Sequence, residues 1–352
     1  MIKKVTLKDI AEDSGLSIST VSRALTRSNK ISKENIHRVF ESAQRLNYPL
    51  PTHQMPLELR KNINIALVTR HYTGEFFASL FEGFDRSTKG LKVRVNLISV
   101  SHTSSTPMQV ISDLKKSHFD AAVIFLPDYR ESDYQAMLKE LPAEFPLVSI
   151  APIANPVLDT VTFDNYRGGY LVAQHLEHRG YKDLGIIKGP VSKSEAMLRK
   201  NGFIDYIRTS ENTELIWEFD GDYSLEMGKE AFEEYKKLNV RPRAIFCSND
   251  STAIGFMHSA LREGYNIPEE VAIVGFDDLP TCDLYTPTIT SVHTPYEVLG
   301  KKAIELILDR LENSKLVKHS GYTSLVPVTL NVRESSTELD YVFNNPYKLQ
   351  AE

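Results

Sequence analysis

The sequence predicts an α/β protein in which a small helix-turn-helix head precedes a large body of two parallel-sheet lobes. Three observations carry this. The charge is divided, with 11 Lys and Arg against 6 Asp and Glu in residues 1–62, a head of +5, and 30 against 40, or −10, in the rest. The head repeats amphipathic helical patterns at close intervals. From Ile63 onward short β-branched runs alternate with amphipathic helical segments, the signature of βαβ units. At 352 residues, 41% of them hydrophobic, the chain has material for about two or three domains with their own cores, which excludes a disordered acidic protein.

In the head, Thr6 with Asp9 three positions on is a capping-box-like start for a helix with the apolar stripe Leu7, Ile10 and Ala11. Gly15 breaks the pattern. Ser17 caps a second helix with Val21, Ala24 and Leu25 facing inward. Ser32 caps a third, with Ile36, Val39, Phe40, Ala43 and Leu46 inward, ended by Asn47-Tyr48-Pro49. The short Gly-containing turn between the first two is the helix-turn-helix arrangement, so residues 1–48 form one module. Pro49, Pro51 and Pro56 mark residues 49–62 as a linker with at most one helical turn, Pro56 to Arg60.

The body's strand candidates are Ile63 to Thr69, Val93 to Val100, Ala121 to Leu126, Leu147 to Ile150, Leu184 to Lys188, Ala244 to Ser248 and Val271 to Phe276. Helical segments between them include Phe76 to Ser87, Asn165 to His178, Glu195 to Arg208, Leu225 to Leu238 and Thr252 to Glu263. Residues 63–334 are too many for one ordinary sheet, so two lobes are expected, with any ligand beyond the carboxyl ends of the strands. Residues 335–352 remain as a C-terminal extension. No run approaches the roughly 18 apolar residues of a membrane span, and the start lacks a signal-peptide core, so a cytoplasmic location is expected. Cys247 and Cys282 have no C-x-x-C partner and are expected as buried thiols, and no cofactor is expected.

The chemistry of the head follows from its second helix. With Val21, Ala24 and Leu25 inward, the opposite face presents Ile18, Ser19, Ser22 and Arg23. In a helix-turn-helix, the N-terminal residues of the second helix reach base edges in the major groove. Ser19 suits several bases, Ile18 a thymine methyl, and Arg23 a guanine or a phosphate. Ser17, Thr20 and the backbone N–H groups at the helix start suit phosphate, and Thr6 is grouped with them. A small helical protein-interaction domain with solvated Lys and Arg is the competing reading of the same residues.

These residues carry a resemblance. Thr6-Leu7-Lys8-Asp9-Ile10-Ala11, Gly15-Leu16-Ser17, Thr20-Val21-Ser22-Arg23-Ala24-Leu25 and Asn47-Tyr48 resemble the DNA-binding head of the lactose and galactose repressor (LacI/GalR) family of transcription regulators. The likeness continues through Val161 to Gly169, Gly189-Pro190, Arg199 to Phe203, Ser248-Asn249-Asp250 and Val274 to Asp278. It implies a repressor whose affinity for double-stranded operator DNA is set by a small ligand, most often a sugar or related polyol and less often a nucleobase. It further implies a periplasmic-binding-protein-like body and a homodimer or dimer of dimers. By the same resemblance Leu57 is the minor-groove wedge of a hinge helix. Here Pro56 adjoins Leu57, Pro51 replaces the usual Asn, and Gln54-Met55 replaces Ala-Arg, departures that argue against an ordinary hinge helix. A linker residue docking on the body is the other reading of Leu57.

For the ligand, the resemblance implies Arg199 as a donor fork, Asp277 as an acceptor for vicinal hydroxyls, Asn249 as donor and acceptor, Tyr223 as a stacking ring, Phe76 and Phe77 as an aromatic pair on the opposite lobe, and Asp164 near the crossover. Phe76 and Phe77 also begin a helical stripe with Leu80, Phe81 and Phe84, so one is expected in the core. Asp250 and Asp278 are expected as caps of the segments that follow them. Ala151 and Thr294 stand where sugar-responsive relatives often carry Asp and Gln.

An enzyme is not expected. There is no G-x-S-x-G, no G-x-x-x-x-G-K-[ST], and no G-x-G-x-x-G after the first strand. Adjacent Asp277 and Asp278 should point to opposite sides, unlike an acid/base pair. His175 and His178 lack a third metal ligand and read as a solvated helix face. A transport binding protein would need a signal peptide and leaves the basic head unexplained.

Overall fold

A computed structural model of the chain describes residues 5–26, 31–49, 62–70, 74–100, 106–117, 119–312 and 321–337. The expected hinge turn, Leu57 and the last fifteen residues lie outside these.

Three helices form the head: α1 (Leu7–Ser14), α2 (Ile18–Leu25) and α3 (Lys33–Arg45). Each starts on a hydroxyl cap, Thr6, Ser17 or Ser32, whose oxygen accepts an otherwise orphaned N–H of the first turn. Thr6 and Asp9 complete a reciprocal capping box. Gly15, at φ 66°, takes the left-handed conformation that stops α1 and turns the chain into α2. Ile10, Ala11, Val21, Ala24, Val39 and Ala43 form the core. Arg38 donates to the Ser14 carbonyl at 2.8 Å and Arg45 pairs with Asp13, so two of the head's cations hold the module together.

The body holds two six-stranded sheets. The first contains β1 (Ile63–Arg70), β2 (Val93–Val100), β3 (Ala121–Phe125), β4 (Leu147–Ser149) and β5 (Thr160–Phe163). The second contains β6 (Asp183–Lys188), β7 (Glu214–Asp220), β8 (Ala244–Cys247), β9 (Ala272–Asp277) and β10 (Thr290–His293). After β10 the chain returns to add β11 (Thr323–Val326) to the first sheet, then crosses again to add β12 (Thr329–Asn331) to the second. The orders are β11-β5-β4-β3-β1-β2 and β12-β10-β9-β8-β6-β7, and of the pairings only β10 with β12 is antiparallel. In each sheet the first strand in chain order lies between its two successors, the switch-point topology that opens a crevice beyond the strands' carboxyl ends.

Helices α4 (Glu75–Ser87), α5 (Pro107–Lys116), α6 (Glu131–Glu140) and α11 (Tyr296–Glu312) accompany the first sheet. Helices α7 (Asn165–His178), α8 (Ser194–Thr209), α9 (Leu225–Lys236) and α10 (Asp250–Arg262) accompany the second. The α7 and α8 backbones meet closely through reciprocal glycines. A Cβ on Gly169 would lie 1.9 Å from the Arg199 carbonyl oxygen, and one on Gly202 would lie 1.9 Å from that of Tyr166. This contact sets the depth at which Arg199 sits.

Several sequence expectations are corrected. Of the two histidines read as a solvated face, His178 is exposed, but His175 is half-buried: its Nε2 lies 2.8 Å from Ser336 Oγ, and burial pushes its pKa down to about 3. No group of three metal-ligating side chains occurs among the described residues. Asp250 caps nothing; Asn249 is the N-cap of α10, while Asp250 accepts from Leu279 N at 2.8 Å and Ser291 Oγ at 2.5 Å. Asp278 is likewise no cap, holding Arg333, Asn331 and His293 at 2.6–2.8 Å. Cys247 and Cys282 are buried free thiols. Among the described residues, no helix is long and apolar enough to cross a membrane.

Asp250 carries a pH prediction. Full burial and the charge of Asp277 push its carboxyl up to about 8, far above its ordinary 3.8. The folded state then binds a proton that the unfolded chain releases, so this group's contribution to stability falls as pH rises from about 4 to about 8 and is gone above that. Asp250→Asn retains the shape and removes the titration. Urea unfolding at pH 5 and pH 8 should show the variant losing less stability between the two than the parent; an equal loss would assign the ionisation elsewhere.

Candidate functional site

A cavity of about 330 Å³ lies between the lobes at the carboxyl ends of their strands, at the small end of ligand-site volumes. Its walls differ in chemistry. The first lobe contributes Phe76, Phe77 and Leu80 from α4, Phe125 at the end of β3, Ile150 and Pro152 after β4, and Phe163 at the end of β5. The second contributes Asn165, Lys193, Glu195, Arg199, Asp222, Tyr223, Ser224, Asn249, Ser251 and Asp277. The first wall is therefore mainly aromatic and apolar, with Glu75 and Thr162 as its polar members, and the second mainly polar, with Leu279 as its apolar member.

Arg199 organises the polar wall. Only 6% exposed, it donates from Nε to Asn165 Oδ1 at 2.9 Å, from Nη1 to the Ser248 carbonyl at 2.6 Å and from Nη2 to Asp277 Oδ1 at 3.0 Å. Its guanidinium carbon lies 3.7 Å from the centroid of the Phe276 ring. A buried guanidinium is tolerable only with partners close by, and here each nitrogen has an acceptor, one of them an opposite charge. Asp277, 4% exposed at φ 109°, turns toward Arg199, while Asp278, at φ 53° and just past β9, turns away to Arg333. Burial raises the Asp277 carboxyl to about 6 against the opposing pull of Arg199.

Of the ligand residues expected from sequence, the structure brings Phe76, Phe77, Arg199, Tyr223, Asn249 and Asp277 to this cavity. Phe76 and Phe77 both line it, and Phe76 is also packed on the core and 5.5 Å from the Phe125 ring. Asn249 uses Oδ1 to cap α10 and Nδ2 to hold the Tyr223 carbonyl at 3.0 Å, so it positions Tyr223. Asp164 does not line the cavity: it is the N-cap of α7, accepting from Arg167 N at 2.9 Å, and its neighbour Asn165 takes the place at the wall. Ala151 and Thr294 are buried outside the lining, Thr294 donating to the Asp277 carbonyl.

Sequence reading passed over Glu75 and Glu195. The Glu75 carboxylate reaches across the cleft to accept from Thr281 N and Oγ1. Glu195, one helical turn before Arg199 on α8, is 7% exposed, and burial raises its carboxyl above the usual range. The i, i+4 spacing with Arg199 was the available signal.

In the head, Thr6, Ser17, Ile18, Ser19, Ser22 and Arg23 are exposed and Thr20 is half-buried. Ile18 is 50% exposed although it is a large apolar residue at the start of a helix. The Ser17 hydroxyl is engaged by Thr20 N and lies within 2.9 Å of the Ser19 and Thr20 hydroxyls, so it organises the helix start. Leu57 lies outside the described residues.

A helix-turn-helix reader joined to a two-lobed binding body defines a DNA-binding transcription regulator. Residues 6–49 match the bacterial regulatory proteins of the lacI family, and residues 173–336 match the periplasmic binding protein-like domain. Similar proteins include the HTH-type transcriptional repressors PurR of Edwardsiella ictaluri, 25% identical over 311 residues (88% of this chain, 91% of the relative), and of Proteus mirabilis, 26% identical over 313 residues (88% and 91%). Solved structures of the same fold include the lac repressor dimer bound to operator and the anti-inducer ONPF, with TM-score 0.68 and 23% identity over 95% of this chain and 99% of that one. The CelR–cellobiose complex matches with TM-score 0.68 and 23% identity over 94% and 99%. The chain belongs to the lacI family of bacterial regulatory proteins and is a DNA-binding transcriptional repressor.

Proposed function

We propose that this repressor reads operator DNA through the exposed start of α2 and is controlled by a sugar bound between its lobes. In this reading Thr6, Ser17, Ile18, Ser19, Thr20, Ser22, Arg23 and Leu57 form the DNA side. Phe76, Phe77, Arg199, Tyr223, Asn249 and Asp277 form the effector side. Residues 1–48 are the reader, 49–62 the linker, 63–334 the sensor and dimerisation body, and 335–352 an extension. A homodimer places two readers on an inverted repeat, one helical turn or a multiple apart.

The two-faced cavity carries the sugar assignment. A pyranose has C–H faces that bury against aromatic rings and a hydroxyl edge that needs acceptors. Phe76, Phe77 and Phe125 face the first requirement, and Asp277 and Glu195 the second. The aromatic wall also favours a planar nucleobase, the competing occupant.

Fluorescence polarisation with an inverted-repeat duplex from beside the protein's own gene tests both halves. A sugar that occupies the cavity should change operator affinity by roughly 5–150-fold, the usual span of a coupling energy. If no saccharide moves the binding curve and adenine or hypoxanthine does, the cavity belongs to nucleobases. If the duplex binds no better than random DNA at physiological salt, the operator reading fails.

A further inference from the structure

We propose that Glu195 selects the effector and that the effector is a single-ring sugar bearing an amine. The inference rests on the reading of the cavity as a saccharide site, and it comes from which polar atoms of the wall are left over.

The Oε2 of Glu195 is fully buried and has no hydrogen-bond partner among the described residues. The other charged side chains of the lining are engaged. Asp277 is the ion partner of Arg199 at 3.0 Å, and all three nitrogens of Arg199 are used. Glu75 is held by Thr281. Asp222 is exposed and accepts from Ser224 N at 2.8 Å. Lys193 is half-buried beside the Tyr223 ring, its Nζ 5.5 Å from the centroid. Glu195 is thus the buried carboxyl of the lining that the fold leaves without a bonded counter-ion.

Burying a carboxylate oxygen without a partner is costly, and the cost is recovered when a ligand supplies the missing donor. A hydroxyl supplies one O–H and no charge. An ammonium supplies three N–H donors and a positive charge in direct contact with the carboxylate, forming a charge-assisted bond of about twice the strength. The Tyr223 hydroxyl, the second orphan of this wall, either donates or accepts, which suits a hydroxyl beside the amine. A cavity of about 330 Å³ matches one ring rather than two.

Calorimetry and thermal shift on the full chain test this with glucose, galactose and mannose, their 2-amino counterparts glucosamine, galactosamine and mannosamine, and adenine and hypoxanthine. At least one amino sugar should bind about tenfold or more tightly than its hydroxyl counterpart, the scale of one charge-assisted bond. In Glu195→Gln, checked for fold by circular dichroism, that preference should fall to within about twofold. A neutral sugar binding as tightly as its amine overturns the role of Glu195 and leaves the sugar reading standing, as does a preference that survives Glu195→Gln. Binding only by a nucleobase, or by no compound of the panel, overturns both.

Discussion

Asp277→Ala should lower the stability of the body by about 3–5 kcal/mol, the cost of leaving one member of a buried ion pair alone. Among the described residues Asp277 is the only carboxylate bonded to Arg199, and the remaining bonds of that guanidinium go to a carbonyl and an amide oxygen, which carry no full charge to replace it. The Phe276 ring covers one face of the guanidinium and offers it no counter-charge. Urea unfolding measures the effect, and Asp277→Asn, which keeps an oxygen for Nη2, should lose clearly less. A loss under about 1 kcal/mol for the alanine variant would mean that solvent reaches Arg199 and that the ion pair is not a pillar of the cavity wall. The same variant should abolish the thermal shift produced by any sugar that binds the parent, since Asp277 is proposed to accept its hydroxyls.

Arg23→Ala should erase the preference for operator over random DNA. One bidentate contact from arginine to guanine discriminates by about 1–3 kcal/mol, or roughly 5- to 150-fold. Arg23 lies exposed on the face of α2 opposite buried Val21 and Ala24, and the head's structure does not depend on it, unlike Arg38 and Arg45. Weak, salt-sensitive binding to any duplex should persist, because the other phosphate contacts remain. Equal loss on operator and random DNA, with a salt slope lower by about one, would assign Arg23 to a phosphate instead.

Much of this was legible in the chain. The head was readable because each helix carries its own start and stop: Thr6, Ser17 and Ser32 cap, and Gly15 terminates. Strands such as β1 and β3 were readable because they are largely buried on both faces and carry apolar runs, Ile65 to Val68 in β1 and all of β3. β5 and β10 were not, although each has a strand on both sides. Their sequences, Thr160-Val-Thr-Phe163 and Thr290-Ser-Val-His293, are half hydroxyl-bearing, and such residues alone argue for turns. In the fold the hydroxyls of β10 are spent on distant partners, Thr290 Oγ1 on the Arg333 carbonyl and Ser291 Oγ on Asp250, while Thr160 Oγ1 of β5 donates locally to the Leu158 carbonyl. Edge strand β7, Glu214–Asp220, mixes charged residues with Leu, Ile, Trp and Phe and has no uniform face to read.

At the cavity the division is the same. Asp277 and Arg199 were identified by family resemblance, yet only the fold shows that they neutralise each other and that each nitrogen of Arg199 already holds one protein acceptor. Asp164, expected beside the ligand, is a helix cap, and Glu195, not expected, faces the cavity with an unused oxygen. By itself the sequence determined the reader, the alternation of strands and helices and the kind of side chain available for a ligand, because caps, periodicity and loop chemistry are local. The tertiary structure decided which polar groups are already satisfied and which remain for a ligand. A hydrogen bond between residues 78 apart, such as that from Arg199 to Asp277, leaves no local pattern in the chain.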